Sequence, residues 1–152
     1  MTQIAVGVVD VFVIRIVRGR WRVLVLRRSS GRSPGSWETV HGKIEPGESP
    51  PVAARRELRE ETGLSDDRLY SITVNPFYIH AMGTVQLAAV FAVFVASDAV
   101  ALGQEHDAYE WLTPAAAHKR FTWPRESEAL RQIQRLLTGG DAGVVEDVLR
   151  IP

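Results

Sequence analysis

The chain predicts an α/β domain in which a mixed sheet is flanked by helices. Three observations predict it. Runs rich in Val and Ile, such as "QIAVGVVDVFVIRIV" and "WRVLVLRR", have the composition of strands. Two segments, 50–62 and 124–137, carry apolar residues at helical spacing behind prolines at their starts. No repeat and no long linker divides the 152 residues, so one domain over 1–152 is expected.

The elements follow in order. Residues 3–17 favour a strand, "RGR" (18–20) a turn, and 21–28 the returning strand of a hairpin. "SSGRSPGS" (29–36) reads as a mobile loop, and "WETVHG" (37–42) as a short strand ending at a glycine. Next, "EPGESPP" (45–51) turns into a helix, with Ser49 as the expected side-chain cap and Pro50 at the first position. Its apolar stripe is Ala54 and Leu58, with Val52 and Ala53 near the start, and Gly63 suits a left-handed end. Strands at about 70–80 and 84–96 flank "AMG"; a loop (96–107) and a short strand (108–112) come next. Thr113 and Pro114 open a short helix to 120. The last long helix starts at Pro124, with Leu130, Ile133 and Leu137 on one face. For residues 142–152 a short strand, a docked helix and a loose tail all fit.

Composition narrows the function classes. At 45% hydrophobic and 24% charged, the chain is ordinary for a globular protein. Formal charge is zero, which argues against long nucleic acid as the main partner. The absence of cysteine excludes disulfides, thiolate metal sites and a cysteine nucleophile. The apolar N-terminal run is broken by Asp10 and Arg15, so neither a signal peptide nor a membrane span is expected, and a cytoplasmic location is the default. A homodimer through apolar strand edges stays open. Sixteen arginines stand against two lysines, Lys43 and Lys119. Base composition explains that bias simply, although guanidinium forks also suit phosphate oxygens.

The densest chemistry lies in "RRELREETG" (55–63), where a helix would place Glu57, Glu60 and Glu61 at i, i+3 and i+4. Like charges at this spacing repel, so they either face water beside arginines or hold a cation. A hard divalent cation takes oxygen ligands and keeps several waters, leaving coordination sites for a phosphate.

Upstream, Gly42, five residues, Glu48, seven residues, Arg56-Glu57-Leu58, one residue, Glu60-Glu61, one residue and Gly63-Leu64 resemble the complete signature of the Nudix hydrolases. The resemblance implies a Nudix-type α/β/α sandwich and Mg²⁺-dependent hydrolysis of a diphosphate linkage in a small nucleotide, with Mn²⁺ as an alternative ion. It implies Glu57, Glu60 and Glu61 as metal ligands and catalytic groups, joined by the carbonyl of Gly42. Arg56 would position the helix carboxylates, and Glu48 would brace the loop.

Outside the signature, Glu105 is the expected fourth acidic group. Its setting in "EHDAYEWL", and "TWPRESEAL" further on, resemble the branch acting on dATP and dihydroneopterin triphosphate. That favours release of a monophosphate and pyrophosphate. ADP-ribose or dinucleoside polyphosphate hydrolysis is the alternative within the class, and a nucleotide-sensing module without turnover is the alternative outside it. For substrate contacts the expectations are Arg27 in preference to Arg28, and Lys43 on phosphate. Trp37 reads as core more readily than as a stacking platform. Phe77 and Tyr78, with His80, would line a base pocket or fill the sheet core. His41, His106 and His118 read as ordinary surface or satisfied polar residues.

Overall fold

Expectation and structure agree on the architecture. The computed structural model describes residues 1–152 and contains β1 (Gln3–Val17), β2 (Arg20–Arg28), β3 (Trp37–Glu38), β4 (Val40–Lys43), α1 (Pro50–Thr62), β5 (Arg68–Ile79) and β6 (Thr84–Phe94). β7 (His106–Leu112), α2 (Pro114–Arg120), α3 (Pro124–Leu136), a 3₁₀ turn (Gly143–Val145), α4 (Glu146–Leu149) and β8 (Arg150–Ile151) complete it. The eight strands form one mixed sheet with the path β3-β2-β1-β6-β5-β8, β4 pairing β1 and β7 pairing β2. β1 and β6 run parallel, while the other pairs are antiparallel.

Strand alternation sorts the apolar residues into two cores. Val9, Val11, Val13, Leu24 and Leu26 pack under α1 through Ala53, Ala54 and Leu58. Phe12, Ile14, Val23 and Val25 pack against Ala117, Ala129, Leu130, Ile133 and Leu137 on the opposite face. The result is an α/β/α sandwich. Val52 does not join the stripe of α1 and is exposed.

β1 changes partner along one edge. Ile14 to Val17 pair with β2, whereas Val8 to Val11 pair with β4. The expected single strand 37–42 is therefore two, interrupted at Thr39. The hydroxyl of Thr39 donates to the Val11 carbonyl (2.6 Å), and its N–H donates to Glu126 Oε2 (2.6 Å). These bonds replace the missing ladder partners.

Two local expectations are corrected, and the alternatives left open for residues 142–152 are decided. Ser49 precedes α1 in extended conformation, but its side chain makes no capping bond. A capping oxygen serves the N–H of the second or third helical residue, and Pro51 occupies the second without a donor. The 29–36 loop is tied down rather than loose: Arg28 Nε donates to the Arg32 carbonyl (2.8 Å) and Nη2 to that of Ser30 (3.2 Å). The C-terminal segment is docked. β8 pairs with β5, Tyr70 Oη donates to Glu146 Oε2 (3.0 Å), and Arg55 Nη2 donates to the Pro152 carbonyl (3.0 Å).

Candidate active site

Gly63 ends α1 in the left-handed conformation (φ 73°), donating to the Arg59 carbonyl. The chain between β6 and β7 then folds over that end. Ala101 N–H donates to the Thr62 carbonyl (2.8 Å) and Gly103 N–H to that of Glu61 (3.3 Å). A Cβ at Gly103 would lie 2.9 Å from the Glu60 carbonyl oxygen, so only glycine allows this approach. Glu105, two residues on, thereby lies beside the carboxylate helix.

On α1, Glu57 and Glu61 turn toward the sheet, whereas the side chain of Glu60 is 58% exposed. Glu57 lies so close to Gly42 that an added Cβ would overlap its carboxyl group. Arg56 ties the region together. Its Nε and Nη2 grip both oxygens of Glu48 (2.7 and 2.8 Å), and Nη2 also reaches the Lys43 carbonyl (2.8 Å). Nη1 donates to Glu57 Oε1 (2.8 Å) and Glu60 Oε2 (3.2 Å). The guanidinium, with the Glu45 N–H, holds the Glu48 carboxyl at about 2. The arginine is correspondingly harder to deprotonate.

The electrostatics beneath the helix differ. Burial, then the charge of Glu57, pushes the Glu61 carboxyl well above the usual range, with Glu38 and Glu105 adding to the push. Burial also raises Glu57, against the pull of Arg56. Carboxylates crowded in this way favour a proton or a cation among them. Glu61 Oε1 is buried and has no hydrogen-bond partner. This oxygen-rich set, with the unpartnered Glu61 oxygen and the bare Gly42, fits a hard divalent ion. Glu57, Glu61, Glu105 and the Gly42 carbonyl are groups that could hold it; Glu60, expected with them, is turned outward onto Arg56 Nη1 (3.2 Å).

A cleft of about 600 Å³ opens beside these residues. Its walls bring Gly42, Lys43, Glu57 and Glu105 together with Arg28, Arg32, His41, Phe77 and Gln86. Among the expected substrate contacts, Lys43 and Phe77 line this cleft. Arg27 is not, and the preference between the two arginines is reversed. Register explains this: Arg28 shares the α1 face with Leu24 and Leu26, while Arg27 faces the other way and pairs with Asp107 (2.8 Å). Trp37 sits opposite Arg27 in the ladder and packs against the α2/α3 core under Arg120 (4.7 Å to the ring), away from the cleft. Tyr78 is exposed and, with Trp123 and Arg125, lines a separate cleft of about 210 Å³ that adjoins at Phe77. His80 is exposed and lines neither cleft.

Glu38 and His106, two buried groups beside Glu61, had no local signal. Glu38 accepts from Arg28 Nη1 (3.1 Å) and lies 3.0 Å from His106 Nε2, while His106 Nδ1 lies 3.6 Å from Glu61 Oε1. Burial works against ionising Glu38, but His106, Arg28 and His41 outweigh it and hold the carboxyl below the usual range. His106 is thus buried and only half satisfied, not a surface residue. Glu38, Glu61 and His106 offer ligand atoms close enough to share one ion. His41 is a satisfied polar residue, paired with buried Asp10 (2.5 Å), and it also lines the cleft.

The structure is thus an α/β/α sandwich whose acidic helix borders a cleft rimmed by Arg28, Arg32 and Lys43. The family model described as the NUDIX domain matches residues 2–133, and the chain belongs to that family. A dihydroneopterin triphosphate diphosphatase of Escherichia coli (strain K12) is 29% identical over 129 residues, 76% of this chain and 85% of that protein. An octanoyltransferase of Myxococcus xanthus is 40% identical over 128 residues, which are 78% of this chain but 35% of that protein. The chain spans about a third of the length of the first curated relatives it matches. Among solved structures, a C. elegans Ap4A hydrolase binary complex superposes with a TM-score of 0.69 at 24% identity, covering 87% of this chain and 98% of that one. No helix is long and apolar enough to cross a membrane.

Proposed function

We propose that the chain hydrolyses a diphosphate linkage in a small nucleotide, using a divalent cation, Mg²⁺ or alternatively Mn²⁺. The favoured substrates are (deoxy)nucleoside triphosphates or dihydroneopterin triphosphate, cleaved to the monophosphate and pyrophosphate. One observation carries the reading: Glu57, beside buried Glu61 and over Gly42, faces a cleft rimmed by Arg28, Arg32 and Lys43.

A bound cation would neutralise phosphate oxygens and make a coordinated water more acidic. The chain's own residues supply the remainder. Arg32 and Lys43 orient the phosphate chain, and Phe77 packs against the base. Water oxygen adds to phosphorus, the bridging P–O bond breaks toward the leaving phosphate, and the proton passes to a carboxylate. Glu105, with a 57% exposed side chain, is the candidate acceptor. Similarity to the dihydroneopterin triphosphate diphosphatase across 76% of the chain supports the triphosphate choice, since any match of that extent includes residues 105–112 as well as the family signature at 42–64.

A second reading, dinucleoside polyphosphate hydrolysis, draws on the smaller cleft beyond Phe77, where Tyr78 and Trp123 offer aromatic faces to another base. The octanoyltransferase name belongs to a protein of which the match covers 35%, and octanoyl transfer is not carried over. Product analysis on a panel decides. Purified protein with Mg²⁺ is offered nucleoside triphosphates, dihydroneopterin triphosphate, ADP-ribose and diadenosine polyphosphates. Pyrophosphate from triphosphates supports the lead, AMP plus ribose phosphate would favour ADP-ribose, and no turnover on any of them would leave a sensing module.

A further inference from the structure

His106 opens β7 opposite Arg28 in the ladder, where the register shifts between Arg27 and Arg28. This pairing drives its side chain inward, fully out of solvent, between two carboxylates. On one side Glu38 Oε2 lies 3.0 Å from Nε2, and Glu38 is itself fixed by Arg28 Nη1 at 3.1 Å. On the other side Nδ1 looks at Glu61 Oε1 across 3.6 Å. Both of these atoms are buried and lack a hydrogen-bond partner. A buried imidazole nitrogen and a buried carboxylate oxygen left facing one another cost free energy unless they pair. Closing the gap by about 0.5 Å would bring them to ordinary hydrogen-bond length. Glu61 Oε2 already accepts the His41 N–H (3.2 Å). A bond to Oε1 would therefore fix the plane of the whole carboxyl group.

We propose that His106 is a positioning residue for the carboxylate helix, holding Glu61 through Nδ1 while Glu38 and Arg28 lock the ring from the far side. The inference rests on the metal-dependent reading above, and it assigns a role to a histidine outside the signature. Groups behind a ligand that orient it commonly change metal affinity by about 10–100-fold when removed. The two ring nitrogens make the idea separable. The amide nitrogen of Asn lies near the place of histidine Nδ1, and that of Gln near the place of Nε2.

The test measures Mn²⁺ affinity by electron paramagnetic resonance, without substrate, for wild type, His106→Asn and His106→Gln, with circular dichroism to verify folding. The expected order is wild type tightest, Asn intermediate, and Gln weaker than wild type by at least about tenfold. Equal losses in the two variants, or none in either, overturn the inference while leaving the metal reading intact. Wild-type protein that binds no Mn²⁺ overturns both. A measurement on unaltered protein covers the case in which the variants do not fold. Mg²⁺ added to ¹⁵N-histidine-labelled wild type should move the His106 Nδ1 resonance more than Nε2, and an unmoved Nδ1 contradicts the proposal.

Discussion

Gly42 is the residue at which a single methyl group decides the most. Glu57 fills the space a Cβ would take, so Gly42→Ala must displace the carboxyl group or the strand beneath it. We expect the variant to stay folded and to lose cation affinity by at least about tenfold, measured by Mn²⁺ binding; unchanged affinity would detach Gly42 from the site. Glu105 makes a different contribution. Its side chain is exposed and 3.6 Å from Arg28, free to meet a substrate proton. Glu105→Gln should lower kcat by at least about tenfold with little change in stability, and wild-type kcat would remove it from the mechanism. Glu126 tests the electrostatics behind the cleft. Burial, then the nearby charge of Asp10, raises its carboxyl well above the usual range, while the Thr39 N–H and Arg125 oppose this and Glu38 reinforces it. A raised carboxyl favours the folded state below the unfolded-state pKa, and that advantage fades as pH climbs toward the folded value. Glu126→Gln should therefore raise the urea midpoint at pH 8, with the gain shrinking toward pH 4. A gain independent of pH would contradict the assignment.

At the scale of elements, the spacing of Glu57, Glu60 and Glu61 could be read directly, because a helix converts sequence intervals into faces and needs no tertiary knowledge. The boundaries of α1 at Pro50 and Gly63 were legible for the same reason. Gly42 and Glu48 lie outside the helix and entered only through the resemblance to the family signature. Where the sequence misled was at the strand end carrying Arg27 and Arg28. Alternation says that they point oppositely, but not which face carries α1. Likewise the Glu38–His106–Glu61 contacts join three separate elements, and no local pattern marks such a meeting. Ser49 failed as a side-chain cap because the same prolines that announce the helix remove a donor it would serve. Arg56 is the element-scale joint, linking the loop at Glu48, the Lys43 carbonyl and the helix through one planar fork. A lysine keeps the charge but cannot hold both Glu48 oxygens and the carbonyl together. Arg56→Lys should speed amide hydrogen exchange at Glu45 and Glu48 and lower turnover by about 10–100-fold. Unaltered exchange would show that the loop stands without it.

For the molecule as a whole, two independent cores clamp the sheet, and the candidate site lies where β1 passes from one partner strand to the other. That split was invisible in the sequence, since residues 37–42 read as one strand and only Thr39's bonds to Val11 and Glu126 show why two form. The mixed sheet flanked by helices was legible, because long Val- and Ile-rich strands and helices with one apolar stripe leave few other ways to bury both faces, while the sandwich came only with the resemblance. The docked end of the chain was not legible, as a four-residue helix and a two-residue strand carry too little pattern to announce themselves. The central claim is that carboxylates of one helix, set over Gly42, make this cleft a cation-dependent diphosphate hydrolase. Its most direct test is pyrophosphate release from the best triphosphate of the panel against Mg²⁺ concentration, for wild type and for Glu57→Gln/Glu61→Gln. Saturable Mg²⁺-dependent release by the wild type and a loss of at least about 100-fold in the double variant are expected. Release that persists in the double variant, or that ignores a chelator, would contradict that claim.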